Sequence, residues 1–177
     1  MKKSWQKLKK QSAFTLIEIM AVVLIVAIGL VGTSQLVVQT LQAQTINRST
    51  IIAYQLAQEG IELVRYIRDT NWMEGASAWD EGLEKGNYCI DYRNPVLQAA
   101  NGIEDCSLYQ DANDWYIHPL FVSETNNPTQ FRRGIVIEDS NYVGLEDNSL
   151  LVIVYIEWYE NGRQYRYAMG TELFNWR

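Results

Sequence analysis

Ser12-Ala13-Phe14-Thr15-Leu16-Ile17-Glu18 lies between a basic leader and an apolar run that contains a single carboxylate. The leader, Met1 to Ser12, carries Lys2, Lys3, Lys7, Lys9 and Lys10 and no acid. From Phe14 to Val31 the only ionisable side chain is Glu18, and Ile, Leu, Val and Met fill most other positions. At roughly 1.5 Å per residue such a stretch is long enough to cross a bilayer as a helix. Lysines on one flank and none close on the other predict an N-in, C-out span, because basic residues near a span resist translocation.

A cleaved secretory signal would place small residues after the apolar region, but Gly32-Thr33-Ser34-Gln35 merges into a polar helical pattern instead. A plain signal anchor explains everything except Glu18. A carboxylate about one turn inside a span costs roughly 2.5 to 3.5 kcal/mol on insertion scales, less near the interface, so it calls for a partner or a task.

Ser12-Ala13-Phe14-Thr15-Leu16-Ile17-Glu18 resembles the type IV prepilin signal. That resemblance implies a membrane peptidase that cuts before Phe14 and methylates the new terminus. Ala13 is then the last leader residue, Phe14 the mature N-terminus and Glu18 the assembly carboxylate. The family usually has Gly where this chain has Ala13. The physics agrees: a new amine at Phe14 would be a charge stranded in apolar surroundings, and Glu18, four residues on, faces it on the same helix or from a neighbouring subunit.

The implied plan is a leader 1–13, a long helix 14–70 whose lower part 14–34 spans the membrane, and an extracytoplasmic β-rich domain 71–177. The length of 177 residues suits one folded domain plus a membrane helix. Net charge is −6, and loss of the five leader lysines lowers it to −11. That acidity argues against a nucleic-acid binder, which needs a basic face.

No proline interrupts residues 14 to 69, and Ala53, Leu56, Ala57, Gly60, Ile61, Val64 and Ile67 follow helical spacing. One helix of roughly 50 to 55 residues, about 80 Å long, is predicted, ending at Asp69-Thr70-Asn71. Leu56-Ala57-Gln58-Glu59-Gly60-Ile61-Glu62-Leu63-Val64-Arg65 and Arg68-Asp69-Thr70-Asn71-Trp72 are similar to minor pilins of the PilV kind and to type II secretion pseudopilin I.

Beyond the helix, Asn87 to Tyr92, Trp115 to Ile117 and Phe131 to Ile137 read as strands, while Asn94 to Asn113 reads as a surface loop clipped by Cys106. Leu150 to Tyr159 is rich in β-branched and aromatic residues, and Asn161-Gly162 is the preferred pair for a type I′ turn. Arg163 to Met169 returns, with Thr171 to Trp176 as an extension. A long helix followed by an antiparallel sheet gives an α+β fold, and the resemblance implies that this fold is pilin-like. The end of the chain, Trp158 before the turn and then Thr171 to Arg177, resembles the same subfamily.

Cys89 and Cys106 both fall in the exported part and are expected to form a disulfide, which at this loop length contributes roughly 3 kcal/mol in the chain-entropy model. No metal site is expected from two cysteines and the single His118. Asp111, Asp114, Glu138, Asp139, Glu146 and Asp147 offer oxygen ligands of the kind calcium takes, but no Asp-x-Asp-x-Asp-Gly loop organises them. No nucleophile motif and no phosphate loop is present, so neither an enzyme nor a cofactor is expected.

The leading expectation is a structural subunit, a minor pilin or pseudopilin. Its partners would be other such subunits, the prepilin peptidase and an inner-membrane assembly platform. An adhesive or DNA-uptake tip module, and a membrane-tethered sensor or enzyme, are the alternatives. Glu18 separates the first two from the last, since a tether has no need of it.

Overall fold

The computed structural model describes residues 15–75, 78–118, 126–140 and 148–175. Its contacts divide the chain into two units, Met1–Thr45 and Ile46–Arg177. One helix, α1 (Leu16–Glu74), runs through both. In the first unit it is apolar on every side from Leu16 to Val31 but for Glu18, and then carries Ser, Thr and Gln residues up to Thr45. In the second it buries only one stripe, Ser49, Ala53, Leu56, Ala57, Gly60, Ile61 and Val64, the three-and-four spacing of an amphipathic helix.

The helix ends three residues beyond the predicted Asn71. Thr70-Asn71 does not stop it, because the Arg68 guanidinium lies 4.6 Å over the Trp72 ring one turn on and the chain does not turn until Gly75, which takes φ 71°. A left-handed residue at that point is the usual way a helix terminates, and glycine adopts it without strain. The Asn71 side chain instead donates to the carbonyls of Trp79 and Glu81 (3.0 and 2.8 Å), tying the following segment back to the helix.

Among the described residues the sheet has seven strands, all paired antiparallel. They are β1 (Gly86–Asp91), β2 (Asn94–Ala99), β3 (Ser107–Gln110), β4 (Tyr116–Ile117), β5 (Asn127–Asp139), β6 (Ser149–Glu160) and β7 (Arg163–Phe174), with a single 3₁₀ turn at Ile103–Asp105. β6 and β7 pair from Ser149↔Phe174 to Glu160↔Arg163 without a register shift. Their turn has φ 52° at Asn161 and 74° at Gly162, both positive as a type I′ turn demands. β5 lies along β6 from Phe131↔Trp158 to Asp139↔Leu150. Its other edge is shared, with β1 against Ile135 to Ile137 and β3 against Asn127 to Arg132.

The expected loop from Asn94 to Asn113 is therefore largely structured. β2 turns back on β1 through Tyr92-Arg93, and Pro95 is tolerated because β2 is an outer strand. β3 has only four residues and gains its order from pairing with β5. Trp176 lies outside the described residues.

Period-two alternation puts Phe131, Ile135, Ile137, Val152, Val154, Ile156, Trp158 and Leu173 on one face, against the α1 stripe. Gly60 makes close approach possible: a Cβ built there would fall 2.9 Å from Val154 Cγ1. Arg133 occupies the same buried face, its side chain wholly enclosed. It pairs with Glu59 Oε2 at 3.0 Å and donates to the carbonyls of Ile90 (3.0 Å) and Leu56 (3.4 Å). One cation thus joins helix, β5 and β1.

Candidate functional site

In the first unit every large apolar side chain from Leu16 to Val38 is more than half exposed. α1 is the one helix among the described residues that is long and apolar enough to cross a membrane, and no residue of that apolar stretch is buried within the protein. A core helix would be covered, so this surface requires lipid or other helices around it. The hydroxyls bordering it are satisfied internally. Thr33 Oγ1 and Ser34 Oγ both donate to the Leu30 carbonyl (3.0 and 2.9 Å), and Thr40 and Thr45 donate to Leu36 and Leu41 one turn back. Such back-bonding removes the need for water.

Glu18 is in the first turn of α1, where the backbone N–H of Glu18 and that of Ile19 both reach the Thr15 carbonyl (3.1 and 3.3 Å). A carboxylate is favourable at this positive end of the helix. None of the ion pairs among the described residues includes it. Its surroundings on the helix are Ile19, Val22 and Val23. Ala13 and Phe14 lie outside the described residues.

In the second unit Cys89 and Cys106 are joined by a disulfide, with Cα atoms 5.4 Å apart. Both are buried, and Arg133 N–H donates to the Cys106 carbonyl at 2.9 Å, fixing the bridge to β5. His118, placed at the core edge after β4, brings its ring within 4.8 Å of both sulfurs. With the sulfurs bonded to each other no thiolate remains to bind a metal. Burial holds the His118 pKa below its ordinary 6.5, and Arg133 adds to that, while the Asp105 backbone and Asp91 oppose it. Asp91 is fully buried and accepts from the N–H groups of His118 and Arg93.

The acids singled out in the sequence do not converge. Asp111 accepts from the N–H groups of Asn113 and Trp115 (2.9 and 3.0 Å) and pairs with Arg93, while Asp114 sits in the same turn. Glu138 and Asp139 are at the far end of β5, Asp139 paired with Lys85. Glu146 and Asp147 lie outside the described residues. Arg133 was overlooked in the sequence, although strict alternation from Phe131 to Ile137 places it on the apolar face.

The family model for the prokaryotic N-terminal methylation motif matches residues 8–34. The N-terminus is thus type IV prepilin-like, and the matched stretch holds Ala13, Phe14 and Glu18. No curated protein and no solved structure matches the chain significantly.

Proposed function

We propose that the chain is a structural subunit, a minor pilin or pseudopilin. It enters the inner membrane N-in and C-out, is cut between Ala13 and Phe14 and methylated on Phe14. It then assembles through the apolar part of α1 into a type IV pilus-like filament or a secretion pseudopilus. The finer kinship, to minor pilins of the PilV kind or to pseudopilin I, rests on the Leu56 to Trp72 similarity. Its partners are neighbouring subunits, the prepilin peptidase and the assembly platform.

The observation that carries this reading is Glu18: one carboxylate within a matched methylation motif, on an uncovered apolar helix, with no ion pair to a described residue of its own chain. The Phe14 amine of a neighbour would neutralise it and fix the axial register between subunits.

The test is Glu18→Val, read three ways in one strain. Membrane amount should hold or rise, since a costly group leaves the span. Leader removal, followed by mass spectrometry of the Phe14 terminus, should persist because the cut lies upstream. Incorporation into sheared filament or cross-linked pseudopilus should fall at least about tenfold, which corresponds to 1.4 kcal/mol of lost pairing. A variant that inserts, is cut and assembles at the normal level refutes the role given to Glu18. Peptides containing Lys2 or Lys3 in assembled material would refute the processing step.

A further inference from the structure

The sheet face turned away from α1 carries a cleft of about 400 Å³. Its floor is Gly134 and Val136 of β5 and Tyr155 of β6, with Arg166 of β7 on one side. The opposite wall is the segment 101–104, and Asn87 of β1 closes one end. We propose that this cleft is a saccharide site that takes a mono- or disaccharide unit of a glycan.

The wall is built rather than merely present. It lies within the loop closed by the Cys89–Cys106 disulfide. It is further tied by Cys106 N–H to the Ile103 carbonyl (3.0 Å), Asn101 N–H to Asp105 Oδ2 (3.1 Å) and Ala100 N–H to the Asn87 carbonyl (2.9 Å). Ile103 reaches the floor because position 134 is glycine, where an added Cβ would stand 3.1 Å from Ile103 Cγ1. A site held in this way loses little entropy when a weakly binding ligand arrives.

The chemistry of the lining selects the ligand. Its charged groups are one carboxylate, Glu104, and one guanidinium, Arg166. The cation is already answered: Arg166 Nε donates to the buried Glu157 at 2.6 Å, and Gln164 holds the other Glu157 oxygen at 3.1 Å. With its cation neutralised by Glu157 and the Glu104 carboxylate left over, on a chain of net charge −6, the cleft offers little to a phosphate or a polyanion. Asn87 and Asn101 each supply an amide donor and acceptor, Glu104 an acceptor and Arg166 a donor, the mixed set that neighbouring hydroxyls satisfy because each hydroxyl both gives and takes a hydrogen bond. Ile103 and Val136 offer apolar surface for the C–H face of a pyranose ring, beside a Tyr155 ring whose one face the Arg166 guanidinium already covers at 5.2 Å from the centroid. A volume near the lower end of the roughly 300 to 1,000 Å³ of small-ligand sites fits one or two such rings. Hydrolysis of a glycosidic bond uses two facing carboxylates, and among the described residues the lining has only Glu104. The site binds and does not cut.

The experiment uses the full chain in lipid nanodiscs, which carry no sugar detergent. The probes are methyl glycosides of glucose, galactose, mannose and N-acetylglucosamine with their 1,4-linked disaccharides, followed by saturation-transfer NMR and calorimetry. At least one should bind with a Kd of about 1 mM or tighter. Glu104→Ala and Asn101→Ala, both at exposed positions, should each weaken it at least about tenfold, as loss of a direct hydrogen bond to a ligand does. Tyr159→Ala, exposed and outside the cleft, should leave it unchanged. Failure of every saccharide to bind at about 10 mM, a level well above that Kd, overturns the proposal, as does binding that neither cleft variant alters. Concentration-dependent protection of residues 101–104 from hydrogen exchange, with no saccharide bound, would mark a contact with another chain and would overturn it too.

Discussion

Replacing Glu59 should harm the second unit more than replacing the arginine it serves. The Arg133 side chain is fully enclosed, whereas the Glu59 side chain keeps about a third of its exposure, 35 %. Removal of one partner from a buried pair typically costs 3 to 5 kcal/mol because the other charge stays buried without compensation. In Glu59→Ala that charge is the guanidinium, left with only the carbonyls of Ile90 and Leu56. Water already reaches Glu59 and Ala is a better helix former, so the expected loss is smaller, about 2 kcal/mol. In Arg133→Met no buried charge remains, Glu59 turns to solvent, and an unbranched apolar side chain fills much of the space. The expected change is within about 1 kcal/mol. For a folded unit of this size each kcal/mol moves Tm by about 3 to 4 °C, so Glu59→Ala should melt about 7 °C low and Arg133→Met within about 4 °C of the parent. Near-UV circular dichroism of the full chain in nanodiscs, reporting the tyrosines and tryptophans of the sheet, measures both. The double variant should melt close to Arg133→Met alone. A collapse of Arg133→Met by more than about 3 kcal/mol beside a silent Glu59→Ala would refute the charge argument and assign the arginine's role to its carbonyl hydrogen bonds and bulk.

Two further outcomes use the same melting assay. Gly60→Ala places a methyl 2.9 Å from Val154 Cγ1 and 3.4 Å from Arg133 Cδ. Overpacking of about 1 to 3 kcal/mol should exceed the gain of about 1 kcal/mol in helix propensity and lower Tm, while Gly29→Ala, with no heavy atom within 4 Å among the described residues, should not. An unchanged or raised Tm for Gly60→Ala would show that α1 can lift from the sheet at little cost. His118 gives a pH dependence: its folded pKa lies below the ordinary 6.5 because burial disfavours the charged ring, so the unfolded chain binds the extra proton. Its contribution is complete above about pH 6.5 and is lost as pH falls from there through the folded value. His118→Gln should flatten that part of the Tm–pH curve, and an unaltered slope would remove His118 as its source.

The fold was legible wherever local chemistry and tertiary packing agree. Asn161-Gly162 between two runs of β-branched and aromatic residues specifies the β6–β7 hairpin by itself. The α1 stripe from Ala53 to Val64 repeats at three and four residues with no proline to stop it. β2 and β3 escaped because their order is borrowed. Asn94-Pro95-Val96 has a poor strand signal until β1 supplies its hydrogen bonds, and four residues of β3 carry no readable period. Glu18 stood out because a single charge in an apolar run is visible in one dimension. The cleft was invisible for the opposite reason: Asn87, Glu104, Gly134, Tyr155 and Arg166 are scattered over 80 positions and meet only when five segments are laid side by side. Cys89 and Cys106 were readable as a pair, but not as the clamp that fixes one wall of that cleft.

The same helix meets two different solvents, and its composition changes where the requirement does. Up to Val38 the large side chains point outward in every direction and hold no sheet. That surface calls for lipid or neighbouring helices, and on the proposed function a substitution there would be felt in insertion and assembly. From Ser49 to Val64 one stripe is buried against residues of β5, β6 and β7, and a substitution there is felt in folding. The stretch between is bridged by Gln, Asn and back-bonded Thr residues that keep the helix intact in either setting. On the proposed function a change at Glu18 would report on assembly without disturbing the sheet's core, and a change at Gly60 or Glu59 on the core without altering the apolar surface. The two kinds of experiment can be read independently because, among the described residues, every member of the buried apolar core cluster lies within residues 46–177.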